Sequence, residues 1–237
     1  MRQRVLGVAV ALVVPALGVG LAACGGTSSS ATAATPSTTA AQTGSATGFA
    51  GHAGPGGGSN ARSTNAAGGS VGTVTGVSAS SFTVSTPAGE KVAVKETSST
   101  VYDKGTTKST SSAVTKGKTV LVLGKVNSTT ITASQVIVQP TINLSKASAK
   151  VITFKRGTQS ASKAVGQIPA GYKEGSGTIV SGTAATKATK AALTSYAGGT
   201  VDRVVRLSNG EYEVHYIGVN WPHHIFVSST FQVVGAN

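Results

Sequence analysis

Residues 25–69 contain almost nothing but Gly, Ala, Ser, Thr, Pro and Asn, and this stretch sets the strongest limit on what the chain can fold into. Such a segment cannot bury enough apolar surface to offset the entropy of ordering it. It is expected to be a disordered tether over 24–69, and a Gly/Ser-type coil of that length spans roughly 35–40 Å end to end. Any packed core must therefore come from residues after about 70. Even there bulky material is scarce, since aromatic residues make up 5% and charged residues 11% of the chain, with 31 glycines. That composition suits small β-rich modules better than one large core.

Upstream of the tether, Arg2 and Arg4 precede an apolar run from Val5 to Ala23, which ends in Leu21-Ala22-Ala23-Cys24. A charged start, an apolar centre and small residues at the end form a secretory signal, expected over 1–23. The last four residues resemble the lipobox of bacterial lipoproteins, with the chain's only cysteine at the acceptor position. The resemblance implies that Cys24 becomes the first mature residue and carries lipid (a thioether-linked lipid, with palmitate as the expected acyl chain). The alternative is that the same run stays as a membrane-spanning anchor, for which its length suffices. Both place the remaining chain outside the cytoplasm, at the extracytoplasmic face of the cell membrane.

From Val71 the pattern turns to alternation. The runs Val71–Val77, Ser81–Thr86, Lys91–Lys95, Thr119–Val126 and Ile131–Val138 are separated by turn signals such as Pro87-Ala88-Gly89 and Asn127-Ser128-Thr129. Five short strands, with a longer connection between the third and fourth, predict a small OB-like five-stranded β-barrel over 70–140. Its lysines Lys95, Lys104 and Lys108 are expected on the solvent side. The layout is similar to a bacterial envelope family known as domain of unknown function 5666: an opening G-x-V with Ser-Phe-Thr-Val, then Gly117-Lys-Thr-Val-Leu-Val-Leu-Gly124, then Ile131-Thr-Ala-Ser-Gln-Val-Ile-Val138. That resemblance implies a β-fold in an exported setting and brings no activity.

Residues 141–178 carry Lys146, Lys150, Lys155, Arg156, Lys163 and Lys173 against Glu174 alone. Pro169 and repeated glycines predict an irregular basic linker, with one strand at Lys150–Phe154. Such charge is drawn to anionic surfaces within about 10 Å at ordinary salt. Nucleic acid is not expected as a partner, because the protein is exported and lacks aromatic residues interleaved with the basic ones.

Residues 179–237 predict an α+β module. A helix over Thr183–Ala197 is stopped by Gly198-Gly199, and strands follow at Thr200–Leu207, Glu211–Val219, His223–Ser228 and Phe231–Val234. Asn209-Gly210 is a strong hairpin signal. With Asn220 and Trp221 at the next turn, Val214 would face Val227 and Tyr216 would face Ile225. One face then holds Tyr212, Val214, Tyr216, Ile225 and Val227 for the helix. The other presents Glu213, His215, Ile217, His224 and Phe226, with Trp221 projecting at the tip. The order Ala191-Ala192-Leu193, Gly198-Gly-Thr-Val-Asp-Arg-Val-Val205, Asn209-Gly-Glu-Tyr-Glu-Val214 and His224-Ile-Phe-Val227 resembles the PepSY family of exported bacterial domains. The resemblance implies a helix packed on an antiparallel sheet. It also implies a binding or inhibitory role, since related domains restrain peptidases. Asn220-Trp221-Pro222 and Ser228 depart from the family's usual pattern.

The chain as a whole is thus expected to be mainly β plus α+β, in separate modules joined by linkers. Its expected role is that of a non-catalytic lipoprotein of the cell envelope, with Trp221, Phe226, Ile217, His215 and His224 as the partner-binding surface. The expected partner is an extracellular peptidase, or alternatively an anionic envelope polymer or lipid held by the basic linker. No catalytic residue, metal or cofactor is expected. Gly68-Gly-Ser-Val-Gly72 fits a nucleophile-elbow pattern but lies in the tether without its strand. His215 and His224 share a face, yet no cysteine or carboxylate completes a metal set.

Overall fold

The computed structural model describes residues 65–237, so the expected signal, Cys24 and the tether up to residue 64 lie outside the described residues. Among the described residues the chain is mostly β, with two α-helices.

The alternating runs form β1 (Ala66–Val77), β2 (Ser81–Ser85), β3 (Lys91–Lys95), β4 (Val101–Lys104), β5 (Thr107–Lys108), β6 (Thr119–Asn127) and β7 (Thr130–Val138). Five of them close a barrel in the order β1-β2-β3-β7-β6-β1, all antiparallel except the β3–β7 pair. Every second side chain points inward, so Val74, Phe82, Val84, Val92, Val94, Val120, Val122 and Ile131 fill the interior. β7 pairs with β3 along its first half and with β4 along its second. β4 is not among the five expected strands, because Asp103 and Lys104 mask its alternation. The Asp103 carboxylate accepts from Gln135 Nε2 at 2.7 Å and pairs with Lys108 at 3.2 Å. Lys95, Lys104 and Lys108 are exposed, as expected.

The expected tether ends earlier than 69, because Ala66–Gly69 belong to β1. This strand joins the barrel to the rest of the unit. One edge pairs with β6 from Ala66 to Thr73. The other pairs with β2 beyond Thr73, and at Gly69 and Ser70 it pairs with β11 (Thr200–Arg206). Such proximity needs glycine: a Cβ on Gly68 would collide with the Val201 carbonyl, and one on Gly69 with the Val122 carbonyl.

From β11 the same sheet leaves the barrel as a second layer, the second sheet, through β12 (Tyr212–Ile217), β14 (His224–Val227) and β15 (Val233–Ala236). Helix α2 (Gly182–Ser195) packs on its inner face. Its Ala185, Ala188, Ala192 and Leu193 share one core with Val201, Val204, Val214, Tyr216, Ile225 and Val227, and with Val71, Leu121 and Leu123 on the barrel's outside. Small alanines let the helix sit close to both.

Residues 141–178 are mostly irregular and exposed, in line with their composition, but they are not a free linker. They form α1 (Leu144–Ser148), β8 (Ile152–Thr153), β9 (Val165–Gly166) and β10 (Thr178–Ile179). β9 extends the second sheet beside β15, and β10 pairs with the far half of β11. β8 pairs with β13 (Val219–Trp221). The segment thus wraps the module that follows it. Periodicity could not reveal this, since each contact uses only two or three residues.

Candidate functional site

The outer face of the second sheet carries most of the predicted site residues, and its geometry follows from how β12 ends. Gly218 adopts φ +79°, a left-handed conformation that favours glycine, and the Glu90 carboxylate lies against it. The chain breaks there, and Val219–Trp221 leave the sheet to pair with β8. The hairpin is therefore not the tight turn expected at Asn220-Trp221. Its register is Tyr212 opposite Val227, Val214 opposite Ile225 and His215 opposite His224. That differs from the expected register by two residues, and a shift of two keeps every side chain on its face. The apolar face was read correctly, whereas His215 and His224 are directly opposed rather than diagonal.

The expectation that the other face and Trp221 are open to a partner is corrected. Trp221 is 2% exposed and Phe226 is fully buried. The Trp221 indole N–H donates to the Lys163 carbonyl at 2.7 Å, its ring meets Tyr196 edge-on at 5.6 Å, and the Lys163 ammonium lies 4.8 Å from the ring centre. Phe226 packs with Val205, Leu207, Ile168 and Tyr172. The cover on both comes from residues 152–179, the stretch read as a linker. Ile217 is half-buried.

Beneath that cover lies a polar cluster that the sequence reading did not assemble. Arg203 and Glu213 are buried on the same face as His215 and His224. His215 Nδ1 is 2.6 Å from Asp202 Oδ1, and Arg203 Nη1 is 3.4 Å from Asp202 Oδ2. His224 Nε2 lies 3.7 Å from Glu213 Oε1 and 3.8 Å from Glu174 Oε1. Those two spacings are not ion pairs at neutral pH. Burial, followed by the charges of His215, Arg203 and His223, holds His224 down at about 3, so its ring is neutral. Burial also pushes the Glu213 carboxyl up, against the pull of Arg203 and His215. The Tyr172 hydroxyl is raised by burial and by Glu213.

His215 and Asp202 form an oriented base pair, but no nucleophilic hydroxyl or thiol is bonded to that imidazole among the described residues. Ser160 Oγ is 3.0 Å from His223 Nε2 on the surface, with no carboxylate bonded to His223 among the described residues. No group of three or more His, Cys, Asp or Glu is placed to hold a metal ion among the described residues. Ser70, the candidate elbow serine, is buried in β1. Cavities of about 690 Å³ (beside Tyr172 and Arg206) and about 650 Å³ (between the start of α2 and the barrel) are not lined by any predicted site residue. No helix among the described residues is long and apolar enough to cross a membrane.

No family model matches this chain, no curated protein matches its sequence, and no solved structure matches its fold.

The electrostatic surface is more informative than the covered face. Lys146, Lys150, Lys155, Arg156, Lys163 and Lys173 are all exposed, while the one acid of their segment, Glu174, is turned toward His224. The connector therefore presents cations to solvent with little opposition.

Proposed function

We propose that this protein is an exported, lipid-anchored component of the cell envelope, without catalytic function, whose basic connector holds it against anionic polymer or lipid. The observation that carries this reading is the exposure of all six cationic side chains between residues 141 and 178, against the single acid Glu174, whose carboxylate faces His224. Residues 141–173 contain no acid at all. Restraint of an extracellular peptidase through Trp221 and Phe226 gives way to this reading, because the chain's own connector occupies the surface on which it depended.

Two finer points of architecture are in keeping with the resemblances drawn from the sequence. The barrel's third and fifth strands, β3 and β7, are parallel, and its first strand closes on its fourth, in keeping with an OB-like barrel. Helix α2 on the β11-β12-β14-β15 sheet is in keeping with a PepSY-like module.

The test is titration of labelled polyphosphate with the full chain purified in detergent. Binding should weaken steeply with added salt. Replacing the six basic residues by Gln should remove most of it, since each cation near an anionic surface contributes about 1 kcal/mol. Binding that ignores both salt and the six substitutions would refute the proposal.

A further inference from the structure

Among the described residues five large apolar side chains are exposed, and three of them belong to the connector: Phe154 at 62%, Ile152 at 42% and Val165 at 40%. Apolar side chains scattered singly on a surface need no explanation, whereas a group ringed by one sign of charge does. Lys150, Lys155, Arg156 and Lys163, all exposed, are interleaved with these three in sequence. We infer that the Ile152–Gly157 loop, with Val165 beside it, inserts into the headgroup layer of an anionic lipid bilayer. This rests on the proposed reading of the connector as the anion-binding element, and it names the bilayer as the surface bound.

The loop is built to project, not to collapse. Its base is fixed by the pairing of Ile152 with Trp221 and of Thr153 with Val219. The Lys155 backbone N–H donates to Asn220 Oδ1 at 3.2 Å. The reversal is closed by the Thr158 N–H donating to the Lys155 carbonyl at 3.2 Å, with Gly157 at φ +78°. Phe154 therefore stands out from an anchored ribbon. Val165 reaches the same region by a second route. It pairs with Ala236, next to Asn237, and the Asn237 carbonyl accepts from the His223 N–H, two residues after Trp221.

Two of the cations are held at the foot of this projection, and Lys155 and Arg156 sit in the reversal beside Phe154. Lys163 lies over Trp221, and Lys150 lies 5.4 Å from the centre of the Tyr196 ring, with Tyr196 and Trp221 in edge contact. Ile152 and Phe154 with cations on both sides match an anionic bilayer, where the apolar side chains enter the acyl boundary and the cationic collar meets lipid phosphates. A second copy of this chain fits the collar poorly, because it would bring like charges together. A water-soluble anionic polymer satisfies the collar but leaves Phe154 and Ile152 in water.

The experiment uses Phe154→Trp in the full lipidated chain, reconstituted in vesicles. The native protein has a single tryptophan, Trp221, which is buried, so the added indole reports the tip. On phosphatidylglycerol vesicles carrying brominated acyl chains, the variant should show a blue-shifted emission component and quenching beyond that of the parent. On phosphatidylcholine vesicles the excess should be absent. Replacing Lys150, Lys155, Arg156 and Lys163 together by Gln should abolish it, since each cation is worth about fivefold in binding. Val165→Trp gives a second reporter should the first variant fold poorly. Equal quenching of parent and both reporters on phosphatidylglycerol would overturn the insertion. If polyphosphate binding stayed salt-sensitive in that case, the anion-binding reading would stand without it. Shielding of the new indole that grows with protein concentration in the absence of vesicles would assign the tip to a second copy instead.

Discussion

Tyr172, near the end of the basic connector, meets Phe226 of β14 edge to face, with ring centres 4.8 Å apart and planes at 77°. This pair closes the outer face of the second sheet. It also brings Tyr172 to 5.9 Å from the His224 ring and sets the polar cluster under cover. The Tyr172 hydroxyl is buried close to the Glu213 carboxyl but makes no well-formed bond to it, so the ring, more than the hydroxyl, does the packing. Tyr172→Phe is predicted to leave stability unchanged or to raise it by up to about 1 kcal/mol, because a buried hydroxyl without a well-formed bond carries a desolvation cost. Tyr172→Ala should cost about 2 kcal/mol, allowing for the partial exposure of the ring. Urea unfolding measures both, and hydrogen exchange in Tyr172→Ala should quicken at His224–Val227. Equal losses in the two variants would show that the hydroxyl matters as much as the ring.

Trp221 gives a second prediction. Its removal as Trp221→Ala should destabilise the unit by about 3–5 kcal/mol, the range for emptying a large aromatic site. Trp221→Phe keeps part of the packing and loses the bond to the Lys163 carbonyl, a loss of about 1 kcal/mol before any cavity is counted. As the chain's single tryptophan, it should emit at short wavelength when folded and shift to the red on unfolding. Native emission already at the solvent-exposed position would contradict the buried site.

Most of the barrel was legible because its strands alternate cleanly and buried valines recur at every second position of β2 and β3. The helix and the faces of β12 and β14 were legible for the same reason. What escaped was long-range. Phe226 and Trp221 read as exposed because their cover, Tyr172 and the Lys163 backbone, lies about 50 residues upstream in a stretch with little apolar pattern. Gly218, which breaks β12, is one of several glycines with positive φ, and nothing in the sequence around it marks it as the strand break. Gly68 and Gly69 looked like the end of a tether, although the alternating Val71, Thr73 and Val74 begin only two residues after them.

Those two glycines support a third prediction. Gly68→Val places a side chain against the Val201 carbonyl and should block the β1–β11 junction, with a loss of more than about 3 kcal/mol. Gly76 lies in the same strand with open space around its Cβ position and without a positive φ. Gly76→Ala is therefore predicted to be neutral or to stabilise by about 0.5 kcal/mol through the unfolded chain. Denaturant midpoints of the two variants against the parent decide this, and a tolerated Gly68→Val would mean that the junction is loose.

The covered cluster predicts how stability depends on pH. His224 is faced by Arg203 and Asp202 from β11, Glu213 and His215 from β12, Tyr172 and Glu174 from the connector, and its neighbour His223. Its folded value of about 3 lies below the ordinary 6.5. Between those limits the unfolded chain binds a proton that the folded chain refuses, so stability falls as pH drops through this window. Glu213 acts in the opposite sense. Its carboxyl is raised above 4.5, so the folded form keeps a proton that the unfolded chain releases, and its contribution weakens as pH rises past 4.5. Below that value the residue is protonated in both states, and His224 acts without its opposition. His224→Gln, which cannot titrate, should flatten the acid side of the stability curve relative to the parent, by up to about 1.4 kcal/mol per pH unit. Glu213→Gln should leave the acid side intact and flatten the decline above 4.5. Urea unfolding of parent and variants from pH 3.5 to 7 separates the two effects, and parallel curves for parent and His224→Gln across that range would show that the imidazole is open to protons in the folded protein.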